Sequence, residues 1–310
     1  MADNLKVLLN SFLEHLEVEK NCSQLTIRNY KHYWDEYIKF LSNDDKRAAL
    51  LSDVTVESVR KFRLLLARRN LKTTTQAYYV IAIRSLLKWL SRNDISALAA
   101  EKLDVPKQRD QSLKFLNEKQ VYHLLNQPLD STEKGLRDRT IMELLFSTGL
   151  RVSELVALNK DQIDLESREF GVVGKGGRAR VVFISLRVIP YLRKYLNSRT
   201  DKFKALFINL KKRSLTDSNE SVRLSSRSIQ RMVRFYVKQA KLPVEATPHT
   251  LRHSLATGLL RSGADLRSVQ EILGHKNIAT TQIYTHVTDA QLKQVHEKYH
   301  QGNKIDNFSP

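Results

Sequence analysis

The chain has a single cysteine, Cys22, among its 310 residues. One thiol excludes an intramolecular disulfide framework and any zinc site built from clustered cysteines, which agrees with a reducing compartment. No run of about 18 apolar residues is present to cross a bilayer. The opening Met1-Ala-Asp-Asn-Leu also lacks the basic and apolar regions of a signal peptide, so a cytoplasmic location is expected. Neither a GxxxxGK[ST] phosphate loop nor an HExxH zinc signature occurs, and no internal repeat or low-complexity tract is found.

Acidic residues are scarce relative to basic ones: 33 Asp plus Glu against 52 Lys plus Arg, a formal charge of +19. Such an excess favours a polyanionic partner through counterion release and steering. On charge alone DNA, RNA and an anionic membrane all fit. Residues 1–110 carry +5 and the remainder +14, so both parts are basic, as expected if each grips the same polyanion. A 310-residue chain that is 41% apolar can bury a substantial core, and two domains of ordinary size are expected.

Apolar spacing predicts four helices in the first part. Leu5, Leu8, Leu9, Phe12, Leu13 and Leu16 follow the helical stripe, and Ser23 is placed to cap a second helix carrying Ile27, Tyr30, Trp34, Ile38 and Leu41. A third runs from Thr55 through Val59, Phe62 and Leu66, and a fourth follows Thr73-Thr74-Thr75 with Tyr79, Ile83, Leu86, Leu87 and Leu90 on one side. Short connections make these a small bundle. Lys31, Lys39, Arg60, Arg63, Arg68, Arg69, Lys72 and Arg84 are expected on its outer faces, as solvated charges or as a nucleic-acid surface. From Ala99 to Ser112 the apolar period is lost, and this is the expected boundary.

The second part begins with helices over Asn117 to about Asn126 and from Gly135 onward, the latter broken by Ser147-Thr148-Gly149 before Leu150-Arg151-Val152-Ser153-Glu154-Leu155 opens the next. Phe170 to Val173 and Arg180 to Ile184 alternate as two strands, with Gly174-Lys175-Gly176-Gly177 turning between them. A loop joining two strands is not a nucleotide cradle; it is a hairpin presenting Lys175 at its tip. Lys211 to Ser226 reads as a flexible surface loop, and the chain after it as helical to about Tyr299.

Chemistry concentrates in this second part. If Pro248 begins a helix, His249 and Arg252 share a face and reach one phosphate. Gly274 marks a helix end that leaves His275 at a turn, and Tyr284 follows nine residues later. Arg151 and Arg252 suit the non-bridging oxygens of a phosphate, Lys175 and the two histidines suit proton handling, and Tyr284 suits nucleophilic attack. A tyrosine hydroxyl near pKa 10 is a weak nucleophile, so it needs that neutralised phosphate and a neighbour to take its proton. Plainer readings stand beside these: Arg151 as a surface partner of Glu154, His249 as a helix-start residue, His275 as a turn residue, Tyr284 as one of 11 tyrosines. Metal ligation by His249, His253, His275 and His286 is the other functional reading, without supporting carboxylate spacing.

The segments Thr148 through Leu155, Gly174-Lys175-Gly176, His249 through Leu260 and Gly263-Ala264-Asp265 through Val287 together resemble the tyrosine recombinases of the Xer type, over essentially the whole chain. The resemblance implies a mainly α fold: an N-terminal four-helix, SAM-like core-binding domain over residues 1–107, and a mainly helical catalytic domain with a small antiparallel sheet over 112–300, followed by a tail at 301–310. It implies Tyr284 as nucleophile, Arg151 and Arg252 on the scissile phosphate, Lys175 as general acid for the 5′-oxygen, His249 and His275 completing the site, and Glu154 in support. Neither a metal nor another cofactor is implied. The implied partners are a duplex DNA recombination site, a homo- or heterotetramer passing through a Holliday junction, and a septal DNA translocase, in a role such as chromosome dimer resolution. The helix over 290–299 would dock on a neighbouring protomer. A mobile-element integrase of the same family, a type IB topoisomerase and a non-catalytic DNA-binding protein on the same fold are the alternatives. Leu255 stands where the family usually has an aromatic residue, and Gly258 where a histidine is frequent.

Charge on both parts sets the first expected outcome. Affinity for duplex DNA should fall about 10³-fold between 50 and 200 mM salt if roughly six or more phosphates are contacted. A titration by fluorescence anisotropy measures this, and a flat response would remove the clamp of two basic parts.

Overall fold

The computed structural model describes residues 4–43, 46–106, 114–174, 177, 179–211 and 218–274. Lys175, His275, Tyr284 and His286, the helix expected over 290–299 and the tail at 301–310 lie outside the described residues. The chain divides into two compact units, Met1–Gln111 and Ser112–Pro310. Among the described residues the fold is mainly α with one two-stranded sheet, and no helix is long and apolar enough to cross a membrane.

The first unit contains α1 (Leu5–Val18), α2 (Gln24–Leu41), α3 (Val56–Arg68) and α4 (Thr73–Arg92). Asn4, Ser23 and Thr55 each accept a hydrogen bond from a first-turn backbone N–H, starting α1, α2 and α3. The chain has only 10 glycines, and left-handed positions after the four helices go instead to Asn21, Asn43, Asn70 and Asp94, with φ from 47 to 58°. Short polar side chains tolerate that conformation better than other L-residues. The apolar stripes meet in one core holding Phe12, Trp34, Tyr37, Phe62, Leu66 and Leu86. Its buried aromatics are satisfied at their polar ends: Trp34 Nε1 donates to the Ala82 carbonyl at 3.1 Å, and the Tyr37 and Ser58 hydroxyls lie 2.7 Å apart.

Two expectations for this unit need correction. Arg84 is not an outward charge; half-buried, it donates to the Leu103 carbonyl and ties α4 to the following segment. That segment is not simply polar either, because Ala100–Lys102 forms a 3₁₀ turn and Ala100 and Leu103 are buried in the bundle core. A short stretch with two apolar anchors shows no helical period, so its packing was invisible to a periodicity argument.

The second unit runs α5 (Glu118–Leu125), α6 (Glu133–Thr148), α7 (Val152–Ala157), β1 (Glu169–Val173), β2 (Ala179–Phe183), α8 (Ile189–Ser198), α9 (Asn219–Val222), α10 (Ser226–Gln239), α11 (Pro248–Arg261) and α12 (Leu266–Leu273). The strands pair antiparallel, with Phe170 opposite Val182 and Val172 opposite Arg180. At the centre lies α6, buried nearly all round, and its inward polar groups are therefore paired. Asp138 accepts from Arg137 and from the Tyr236 hydroxyl, while Glu143 accepts from Arg187. The expected loop over 211–226 is corrected where it is described: α9 is helical, Val222 is fully buried, and Arg223 donates to the carbonyls of Val156 and Leu158, each at 2.9 Å.

Gly135, in the first turn of α6, has no room for a side chain. An added Cβ would collide with the Leu129 carbonyl and come within 2.8 Å of Thr132 Oγ1, the group that caps the helix. Gly-to-Ala inside a helix ordinarily gains about 1 kcal/mol. Here Gly135→Ala should instead cost about 1–3 kcal/mol through overpacking. Both tryptophans, Trp34 and Trp89, lie in the first unit. In denaturant, the far-ultraviolet circular dichroism transition should therefore shift down while the tryptophan fluorescence transition stays in place.

Candidate active site

Three helix termini converge in the second unit. Helix α6 ends at Gly149, which takes a left-handed φ of 61° and whose missing Cβ would lie 2.9 Å from Leu255 Cδ2 and 3.0 Å from Leu273 Cδ2. Helix α12 ends at Gly274 in the same way, with φ 64°. Helix α11 starts nearby, at Pro248, capped by Thr247. The unpaired carbonyls at the two glycine-capped ends are hydrogen-bond acceptors at the negative poles of their helices, where cations are favoured.

Arginines fill that position. Arg252, on α11 and only 4% exposed, donates to the Gly149 carbonyl and, at 2.6 Å, to the Leu273 carbonyl. Arg151 sits just after the α6 end as the N-cap of α7, and its Nη2 reaches the Gly274 carbonyl at 3.3 Å. Glu154 holds it from the other side, accepting from Arg151 N at 2.8 Å and from Arg151 Nη1 at 2.9 Å. The surface-pair reading of Arg151 thus meets half of the facts: the pair exists, but its carboxylate is buried. Burial alone would raise the pKa of Glu154; hydrogen bonds from Arg180 and Arg151 overcome this and bring it to about 2.

His249 is one turn before Arg252 on α11, as expected from the spacing. Partial burial, then the charges of Arg252 and Arg151, lower its pKa below the ordinary 6.5. His253 is lowered to about 4, by burial first and then by His249 and Arg252. Both imidazoles are accordingly neutral near pH 7. Among the described residues, the charged groups that lower their pKa values include the guanidinium groups of Arg252 and Arg151, an environment that favours an anion.

Of the expected site residues, the structure brings together Arg151, Glu154, His249 and Arg252. Lys175, His275 and Tyr284 lie outside the described residues; by sequence they fall between β1 and β2, directly after Gly274, and further toward the end of the chain. Sequence reasoning missed Arg180, whose Nη1 and Nη2 donate to the two Glu154 oxygens at 2.9 and 2.8 Å. A signal for it exists: Arg180 is two residues before the buried Val182 in an alternating strand, and an arginine on an inward face needs a buried partner.

Residues 114–291 match the model of the phage integrase family, and residues 9–94 match that of the phage integrase N-terminal SAM-like domain. Tyrosine recombinase XerC of Natranaerobius thermophilus is 38% identical over 303 residues, covering 94% of this chain and 98% of the relative. The chain belongs to the Xer-type tyrosine recombinases. Tyrosine recombinase XerD of Staphylococcus haemolyticus is 32% identical, with 96% and 99% of the two chains covered. The crystal structure of XerH site-specific recombinase bound to palindromic difH substrate in a post-cleavage complex shares the fold of this recombinase, at a TM-score of 0.71 and 22% identity over 90% of this chain and 81% of that one. The recombinase is a site-specific, DNA breaking-and-rejoining enzyme, and Arg151, Glu154, His249 and Arg252 fall within the residues that match the phage integrase family.

Leu255 and Gly258 have distinct surroundings in this recombinase. Leu255 packs onto Gly149 and so borders the helix end that Arg252 holds. Gly258 meets nothing within 4 Å of a built Cβ and lines a cavity of about 180 Å³ with Phe146 and Thr257.

The depressed Glu154 pKa fixes a pH dependence. A carboxylate with a folded pKa of about 2 against an ordinary 4.5 contributes stability that is present above pH 4.5 and is lost as pH falls toward 2. Glu154→Gln should therefore cost on the order of 3 kcal/mol at pH 7, with the difference from the parent shrinking between pH 4.5 and 2. Denaturant unfolding at pH 7, 5 and 3 measures it; a difference that does not change with pH would contradict this origin.

Proposed function

We propose that Arg151, Lys175, His249, Arg252, His275 and Tyr284 form the catalytic set of this recombinase, with Glu154 in support, and that its substrate is a duplex DNA recombination site. The observation that carries this is the convergence of Arg151 and Arg252 beside a neutral His249 on two helix C-termini. Fixed guanidinium groups preorganise positive charge for a phosphate whose own charge grows in the transition state. Tyr284 Oη attacks the scissile phosphorus, the bond from phosphorus to the 5′-oxygen breaks, and Lys175 gives the leaving oxygen its proton. His249 and His275 contact the phosphate and take part in moving the tyrosine proton. The product is a 3′-phosphotyrosyl ester and a free 5′-hydroxyl. A 5′-hydroxyl from a partner duplex then attacks the ester, releasing Tyr284 and resealing the strand. The ester conserves the bond energy, so rejoining needs no nucleotide.

In this reading residues 1–107 form the core-binding domain, 112–300 the catalytic domain and 301–310 a tail, and the two domains clamp the duplex. Four protomers, of one or two kinds, exchange strands pairwise through a Holliday junction in the cytoplasm. Near-full-length similarity to recombinases named XerC and XerD supports chromosome dimer resolution as the cellular role, with a septal DNA translocase as a partner.

The decisive experiment traps the ester. Mixed with a nicked suicide duplex carrying its site, the full-length chain should form a denaturant-resistant adduct, and Tyr284→Phe should abolish the adduct while DNA affinity stays intact. Mass spectrometry that puts the DNA on Tyr299 or Tyr236 would move the nucleophile elsewhere. Lys175→Ala should be severely slow on ordinary DNA and largely rescued when sulfur replaces the bridging 5′-oxygen, since a thiolate leaves without a proton. Arg252→Ala should stay slow on both substrates, and equal rescue of the two variants would remove the general-acid role.

A further inference from the structure

Glu154 presents a problem of charge. It is a buried carboxylate in direct contact with Arg151, and a lone pair of this kind is neutral overall, so the carboxylate that fixes the guanidinium would also cancel it. The second arginine resolves this. Arg180 approaches both Glu154 oxygens as a two-pronged fork, and each oxygen then holds one donor from Arg180 and one from Arg151. The three-residue group carries a net single positive charge. Arg151 is the more exposed of its two arginines, 31% against 13% for Arg180, so the surplus charge can meet solvent, or a ligand, through Arg151.

We propose that Arg180 is a positioning residue for strand cleavage: it neutralises and orients Glu154, so that Arg151 is rigidly held yet keeps its positive charge for the scissile phosphate. The inference rests on the reading of Arg151 as a phosphate-binding side chain. A second contact points the same way. The stem of Arg180 lies against Gly274, where an added Cβ would be 2.8 Å from Arg180 Cδ, and the Gly274 carbonyl is the other anchor of Arg151. Arg180 therefore touches both groups that aim Arg151. It reaches them from β2, which follows Lys175 in the sequence. A lysine could replace its charge but not its fork.

The test uses the full-length chain and a nicked suicide duplex carrying the sequence that the parent protects in footprinting of genomic DNA. Single-turnover cleavage at saturating protein and DNA affinity are measured separately. Arg180→Met should slow cleavage about 10²-fold, the scale of losing one preorganised charge contact, while affinity changes less than about threefold because other phosphate contacts persist. Arg180→Lys should fall between the two. The double variant Glu154→Gln with Arg180→Met should cleave about tenfold faster than Arg180→Met alone, since a neutral amide no longer cancels Arg151. A merely structural role would make the double variant no faster than the single one. Parental cleavage by Arg180→Met, equal losses of rate and affinity, or a double variant no faster than the single would each overturn the proposal. Should Arg180→Met fail to fold, Arg180→Lys decides: slow cleavage at parental affinity supports the role, and the parental rate refutes it. A parent chain that forms no covalent adduct would instead sink the reading of the site itself.

Discussion

A buried guanidinium needs acceptors, and the second unit is organised around supplying them. Arg252 lies inside the fold with its donors on the carbonyls of Gly149 and Leu273, groups left over where α6 and α12 stop. Stopping those helices in the left-handed conformation at Gly149 and Gly274 is what leaves the carbonyls pointing at a common centre. Packing on the apolar side depends on the same ends: Leu255 and Leu273 close over Gly149, where any side chain would intrude. Fold and positive charge are thus joined, since both arginines donate to carbonyls at the ends of α6 and α12.

Electrostatics then differentiates the cations. Arg252 is bound to carbonyl dipoles, whereas Arg151 is bound to a full carboxylate as well as to the Gly274 carbonyl. Glu154 remains ionised because two guanidinium groups donate to it in a site shielded from water. Burial first, and the neighbouring positive charge second, lower the pKa values of His249 and His253 and favour the neutral imidazoles. A pocket with fixed cations and uncharged histidines can accept a dianionic transition state without first reorganising.

Much of this was legible in the residues, and the limits have physical causes. The four helices of the first unit follow from long apolar periods, with Ser23 and Thr55 capping two of them, and a buried stripe of Leu8, Phe12 and Leu16 cannot be mistaken for a strand. The hairpin is equally legible, with its expected bounds within a residue of β1 and β2. Helix α8 and the turn at α9 went unrecognised: α8 has an apolar stripe of Ile189, Leu192, Tyr195 and Leu196, but it spans only ten residues, and the four residues of α9 with one buried side chain give no period. Proximity of His249 to Arg252 could be read from spacing along α11. The approach of Arg151 to Gly274 could not, because 123 residues separate them and nothing local encodes a contact at that distance. Resemblance to a family supplied that grouping in advance. Arg180 escaped because a charged residue in a strand is usually on the wet face, and only its alternation with Val182 argued otherwise.

The dependence of two helix ends on Arg252 bears on how such a protein would decay. If Arg252 serves in the proposed catalytic set, selection for folding and selection for chemistry fall on the same residue, so a descendant released from strand exchange would still be held to this arginine and to the two glycines. His249 is only partly covered and caps nothing. Drift would reach it early. In a lineage of degenerate copies the arginine would therefore persist as a relic of architecture, and its presence would say little about whether a copy still cuts; the histidine, free of structural duty, would be the more sensitive witness.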